Sequence, residues 1–306
     1  MSFFNPRSFF NQGTSPNRGW HRGCLRGFAL RGFALRGFAL SGLALSGFAL
    51  GGLALGAVSG SAQAAELTIG FYGDAAGDAW LGAEQGIEEN NAQGEFLNLH
   101  YTLAHLEADE LAPASVTAIV VAGDADTVRR VARNHPDTPV INVISTSTGL
   151  RADCVPNLFH TIPSERMKED ALRQWEAKNP GTPVKPQAWS ALQKKYAAGQ
   201  LNSRFEAAHQ RKMNDLSWSG WAATKLVGDL IARHQPMQGS ELIDTLHMDT
   251  NFDGQHGVNM TFRPTGQLTQ PIWLVDSSGK VVGEAPVRGV VDPTDLSTLG
   301  LTECPK

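Results

Sequence analysis

The sequence predicts an α/β fold: a doubly wound parallel sheet, then helices, then a C-terminal antiparallel hairpin. Three observations predict it. Short apolar runs recur between residues 67 and 144, separated by segments of helical periodicity. Those runs are almost continuously apolar, as strands of a parallel sheet covered on both faces must be. Beyond residue 160 the pattern turns helical and closes on two apolar runs joined by Ser-Ser-Gly-Lys.

Each element follows from its residues. Residues 67–72 (LTIGFY) form a buried strand that stops at Gly73, and 79–91 carry Leu81 and Ile87 at helical spacing. Residues 96–102 (FLNLHYT) alternate with period two, which reads as a strand. Residues 118–122 (AIVVA) and 139–144 (PVINVI) are apolar strands with a helix at 126–134 between them. This β-α-β-α-β order with right-handed crossovers gives a doubly wound sheet. A short strand at 158–160 precedes a helix at 164–177 opened by Ser164. Residues 179–186 hold three prolines and a glycine and read as an irregular linker. Helical patterns resume at 187–196, 201–210, 215–233 (capped by Asp215 or Ser217) and 240–248. Residues 260–262 and 272–275 are strand-like, and 277–280 turn the chain into Val281-Val282.

Residues 1–64 differ from the rest. They contain six arginines and no acid, and residues 37–65 are uncharged. RGFAL recurs three times at 26–40, followed by SGLAL, SGFAL and GGLAL. A basic start, an apolar stretch and Ala62-Gln63-Ala64 before Ala65 make a signal peptide cleaved near Ala64. The uncharged run is long enough for a retained anchor, the alternative reading, but its glycines disfavour a permanent helix. No twin arginine is present, so the general secretory route to the periplasm is expected, with membrane contact only through the uncleaved signal. Removing 64 of the 306 residues leaves 242, with 20 basic and 30 acidic side chains and a net charge of −10. Such a surface repels nucleic acid.

Cys154 and Cys304 remain after cleavage. An even pair in an oxidising compartment reads as a disulfide, the alternative being two separate thiols. Enzyme signatures are missing: no G-x-S-x-G, H-E-x-x-H, Walker loop, G-x-G-x-x-G or C-x-x-C. The sequence is therefore read as non-enzymatic, with no cofactor. Asp249, Asn251, Asp253 and Gly254 imitate the start of a calcium loop, but position 12 is Met260 where a bidentate Glu is needed. His100 and His105, like His247 and His256, lack ligand spacing. No metal is expected.

Ligands of parallel α/β sheets sit beyond the strand C-termini. There the chain offers Ser145, Thr146, Ser147 and Thr148, four successive hydroxyls, with Gly123, Asp124 and Tyr72 alongside. These seven are the candidate ligand-binding residues, able to hydrogen-bond a carboxylate or hydroxyl; capping and turn formation compete for the same groups.

The segments LTIGFYGDAAGDAWLGAEQGIEENNA, AIVVAGDADTV, PVINVISTSTGL and NLFHTIPSERMKEDAL resemble the first lobe of type I periplasmic binding proteins, the branched-chain amino acid family of ABC transporters. QLNSRFEAAHQRKMNDLSWSGWAATKLVGDLIARH, FDGQHGVNMTFRPTGQLTQPIWLVD and APVRGVVDPTDLSTLG resemble a subgroup associated with PQQ-dependent alcohol dehydrogenase systems, and the cysteine pair fits it. The distinctive stretch is FRP-x-GQL-x-QPI, residues 262–272. The resemblance implies a periplasmic solute-binding component that works with an ABC permease. It also implies a first lobe over 65–178, a linker at 179–186, and a helical remnant of the second lobe with the hairpin over 187–306. A shortened second lobe leaves a second implication: a non-transport accessory protein that docks a quinoprotein dehydrogenase or cytochrome.

Overall fold

The computed structural model describes residues 64–107, 110–234 and 237–306. The arginine-rich leader and its repeats lie outside the described residues, apart from Ala64.

The chain forms β1 (Ala65–Tyr72), α1 (Asp78–Gly94), β2 (Leu99–Leu106), β3 (Val116–Val121), α2 (Ala125–Asn134), β4 (Val140–Asn142), α3 (Thr148–Ala152) and β5 (Leu158–His160). The strands make one parallel sheet in the order β2-β1-β3-β4-β5. Its faces alternate residue by residue, as the pleat requires. Ala118 and Val120 belong to one core with Ile69, Phe71 and Ala83 of α1, while Ile119 and Val121 join Val128 and Val131 of α2 in another. Helices cover both faces, so the sheet is doubly wound. The central strands β3 and β4 are buried throughout, which accounts for their continuous apolar runs, whereas the edge strand β2 alternates buried residues with exposed His100 and Thr102.

Then come α4 (Glu165–Lys178), β6 (Lys185–Gln187), α5 (Ala198–His209), α6 (Asp215–His234), α7 (Ser240–Met248), β7 (Ile272–Val275) and β8 (Val281–Ala285). Strands β6-β7-β8 form an antiparallel sheet. One face packs Ile272 and Leu274 on Met167 and Ala171 of α4. On the other, Trp273 stacks on His256, which also meets Trp218 and Trp189 edge-on. Helix α6 crosses α1 at glycine contacts: a Cβ on Gly82 would stand 1.8 Å from the Ser217 carbonyl oxygen, and one on Gly220 2.0 Å from that of Ala79. Only glycine permits that approach.

Several local expectations shift. The strand expected at 96–102 starts at Leu99, because Asn98 takes a left-handed conformation (φ 54°) and leaves Phe96 87% exposed. The linker contains β6, with Pro186 on an edge strand where a missing N–H does no harm. Residues 187–196 form no α-helix, only the start of a 3-10 turn at Lys195–Ala197. Tyr196 and Ala197 have positive φ, and Asn202 instead fixes this loop, accepting the Trp189 indole N–H at 2.7 Å and donating to the Ser190 and Gln193 carbonyls. Asn214, not Asp215 or Ser217, caps α6; its Oδ1 accepts the Leu216 and Ser217 N–H groups. Met260 and Phe262 make isolated bridges to Phe252 and Leu268 rather than a strand. Ser164 does cap α4 through the Met167 N–H, and the 276–280 turn joins β7 to β8 through the Asp276–Lys280 backbone hydrogen bond.

Cys154 and Cys304 are joined in a disulfide, with Cα atoms 6.0 Å apart. Asp253 spends its carboxylate on the Gln255 and Gly257 N–H groups and Asp249 pairs with His234 and Arg233, so the calcium-like stretch is a turn.

His256 is fully buried, and burial pushes its pKa down from 6.5 to about 4 despite carbonyls of Ala188 and Gly254 facing its nitrogens. Burial, with the Arg151 charge, pushes His160 well below 6.5 as well. The unfolded chain takes up protons below about pH 6.5, whereas the folded chain keeps His256 neutral down to about pH 4. The stabilisation is complete above pH 6.5 and is lost as pH falls towards 4. For His256 alone the loss is about 1.4 kcal/mol per pH unit, or about 3 kcal/mol in all. Urea unfolding at pH 7.5 and 4.5 checks this; His256→Gln should flatten the dependence by about one proton, and an unchanged slope refutes the assignment.

Candidate functional site

Because β1, β3 and β4 are adjacent and parallel, the segments that follow them emerge along one edge of the sheet. Strand order reverses between β1 and β3, since β2 lies on one side of β1 and β3 to β5 on the other. In open α/β sheets ligands bind beyond the strand C-termini at such a reversal. Gly73 and Ala122 flank it, with the Ala122 N–H donating to the Tyr72 carbonyl at 2.7 Å.

The seven candidate residues divide. Ser145, Thr146, Ser147 and Thr148 follow β4 along this rim, partly exposed, and Gly123 and Asp124 follow β3. Asp124 caps α2: its carboxylate accepts the Thr127 N–H at 2.8 Å, which holds its pKa below the ordinary value. Gly123 is pressed on Thr127, whose Cγ2 would lie 2.8 Å from an added Cβ. The Tyr72 side chain does not face the rim. It is buried in the α2-side core, and its hydroxyl donates to the Glu110 carbonyl at 2.6 Å. As the last residue of β1 it must point to one face of the sheet, and its side is the core.

The four hydroxyls also differ. Thr146 donates to Glu165 at 3.3 Å and Thr148 accepts the Arg166 N–H at 3.3 Å, which ties both to the start of α4. The hydroxyls of Ser145 and Ser147 make no hydrogen bond to described residues.

Sequence reasoning missed what holds this loop. Arg151, 1% exposed, lies beneath it. Its guanidinium donates to the Ser145 and Ser147 carbonyls at 2.8 and 2.9 Å, to the Ile162 carbonyl at 2.7 Å and to Gln267 Oε1 at 2.8 Å. Burial lowers its pKa to about 9, with Glu165 opposing; it stays charged at neutral pH. Asn142 completes the support, donating to the Ser145 carbonyl and accepting the Ser145 N–H, both at 2.8 Å. Arg151 is thus a buried cation bonded only to neutral acceptors, with Glu165 the nearest opposing charge.

The stretch 262–272 explains itself here. Gly266 to Leu268 extend the sheet past β5: His160 N–H donates to the Gly266 carbonyl at 2.8 Å, and Leu268 N–H to the His160 carbonyl at 3.0 Å. Gln267 engages Arg151, Gln270 donates to the Thr161 carbonyl at 2.7 Å, and Arg263 holds the tail through the Leu296, Leu299 and Leu301 carbonyls. Its polar residues fasten the sheet edge and the C-terminus. Nothing in a sequence pattern distinguishes such buried clamps from ligand contacts.

The sequence matches no family model, and no curated protein matches it. The fold does have relatives among solved structures. The branched-chain amino acid transporter substrate-binding protein LivJ of Streptococcus pneumoniae, in complex with isoleucine, superposes with a TM-score of 0.59 at 11% identity, covering 72% of this chain and 99% of that one. A branched-chain amino acid ABC transporter periplasmic ligand-binding protein from Burkholderia xenovorans gives 0.59 at 9% identity, over 71% and 95%. An ABC transporter solute-binding protein from Rhodopseudomonas palustris, in complex with 3,4-dihydroxybenzoic acid, gives 0.58 at 10% identity, over 72% and 94%. The five-stranded parallel sheet, its covering helices and the C-terminal antiparallel strands thus form the fold seen in type I periplasmic binding proteins.

Proposed function

We propose that the protein is an exported, non-enzymatic solute-binding protein that takes a small polar or carboxylate-bearing solute at the rim formed by Ser145–Thr148, Gly123 and Asp124. The observation that carries this reading is the pair of uncommitted hydroxyls on Ser145 and Ser147 over the buried Arg151 guanidinium. Donors fixed over a cation suit an anionic oxygen. Isoleucine and 3,4-dihydroxybenzoate, bound by two proteins of this fold, share a carboxylate. The chain enters the periplasm after cleavage near Ala64 and serves an ABC permease.

The likeness of 262–272 to proteins of PQQ-dependent alcohol dehydrogenase systems supports the narrower assignment to such a system. Only six residues separate α4 from β6, which supports a shortened second lobe. Tyr72 has no part in the site.

Calorimetric titration of the purified protein with amino acids, short alcohols and their acids tests this. Heat is expected with carboxylate-bearing solutes, and Ser145→Ala with Ser147→Ala should weaken binding roughly a hundredfold, at about 1.5 kcal/mol for each hydrogen bond to a charged group. No heat with any class, together with co-purification of a quinoprotein dehydrogenase or cytochrome, would replace solute binding by the accessory role.

A further inference from the structure

A concavity of about 450 Å3 lies among the loop after β6, the segment leading into α6, and the β7–β8 turn. Its size falls in the range of small-molecule sites, roughly 300–1,000 Å3. It shares no residue with Ser145–Thr148. Trp189 and Met213, almost fully buried, form apolar wall. Leu192 and Leu216 line it too, 53% and 37% exposed, and give it an apolar lip.

The charges of the wall are unequal. Asp215 is committed: its carboxylate takes the Lys168 ammonium at 3.1 Å and the Trp189 N–H at 3.0 Å. Asn214 is committed on both ends, to the α6 N–H groups and to Asp78 at 2.6 Å. The Ser278 hydroxyl donates to Asp276 at 2.6 Å. Lys212 is exposed and makes no ion pair or hydrogen bond to described residues. The uncommitted charge is therefore one ammonium beside hydrocarbon. A single lysine, with no arginine fork, suits a monoanion better than a phosphate. An α-ammonium group would meet Lys212, while the wall's one carboxylate, Asp215, is already paired with Lys168, which disfavours zwitterionic amino acids.

We propose that this concavity binds a small amphipathic monocarboxylate, its anion on Lys212 and its hydrocarbon against Leu192, Leu216 and Trp189. The site is independent of the rim and stands whether or not the rim takes a solute.

Hexanoate and benzoate are the probes, with 1-hexanol and leucine as controls. In the full protein with labelled methyl groups, titration with hexanoate should shift the Leu192 and Leu216 methyl signals. Lys212→Glu should weaken hexanoate and benzoate roughly tenfold without changing Tm, since Lys212 is a surface residue. Hexanol and leucine should bind more weakly than hexanoate. Affinity unchanged in Lys212→Glu, no binding of either acid, or shifts confined to the Thr146 and Thr148 methyl groups would overturn the proposal. The last outcome would assign carboxylate binding to the rim, whereas absent rim shifts alongside Leu192 and Leu216 shifts would leave this site standing by itself.

Discussion

Cys154→Ser with Cys304→Ser is expected to lower the unfolding free energy by about 4–5 kcal/mol. The disulfide closes a loop of 150 residues, and loop entropy assigns such a closure about 5 kcal/mol as an upper figure. The effect should reside in the unfolded chain. In the folded protein the tail keeps its other ties: Arg263 donates to the Leu299 carbonyl at 2.6 Å, and the Gly300 N–H donates to Asp170 at 2.7 Å. The variant should therefore keep its near-ultraviolet circular dichroism while its urea midpoint falls and its m-value rises, as a freer denatured chain exposes more surface. A loss below about 1 kcal/mol would mean that the reduced, unfolded chain stays compact around the same contacts.

Arg151→Met should cost about 2–4 kcal/mol. Removing the guanidinium strands the Gln267 Oε1 and the Ser147 carbonyl, whereas the Ser145 carbonyl keeps the Asn142 amide and the Ile162 carbonyl keeps the Gln267 amide. Each buried acceptor left alone costs about 1–3 kcal/mol, against which the relief of desolvating a cation is set. Arg151→Lys keeps the charge but cannot reach four acceptors in different directions. It should be intermediate in stability and should loosen the loop after β4. Hydrogen exchange reads this directly: the Ser145 N–H, held by Asn142 at 2.8 Å, should exchange faster in Arg151→Lys, while amides of β3 should be unaffected. Wild-type protection of Ser145 in Arg151→Met would show that Asn142 alone sets the loop.

The parallel layer was legible because its information is local. A strand covered on both faces must be apolar at every position, so 67–72, 118–122 and 139–144 declare themselves within six residues or so. Ser164 declares the start of α4 for the same reason, since a cap acts on an N–H three residues away. The disulfide was legible from parity and compartment. Loops 187–196 and 260–262 were not, because partners distant in sequence fix their backbone: Asn202 for the first, Phe252 and Leu268 for the second. Asn214 was passed over as a cap because Asp215 and Ser217, equally good capping types, stand beside it.

By itself the sequence determined that residues 67–72, 118–122 and 139–144 hold the central parallel strands and that the segment after the last of them bears hydroxyls. It did so because periodicity and apolar content are properties of neighbouring residues. Only the tertiary structure decided which side chains at the strand ends remain free. Tyr72 turned inward because the pleat gives each residue one face. Ser145 and Ser147 stayed uncommitted because Arg151 and Asn142 take their backbone, and Arg151 is oriented by Gln267 from 116 residues away. A hydrogen-bonding group is spent or available according to what the folded chain brings within about 3 Å of it, and that is not a property of its neighbours in sequence.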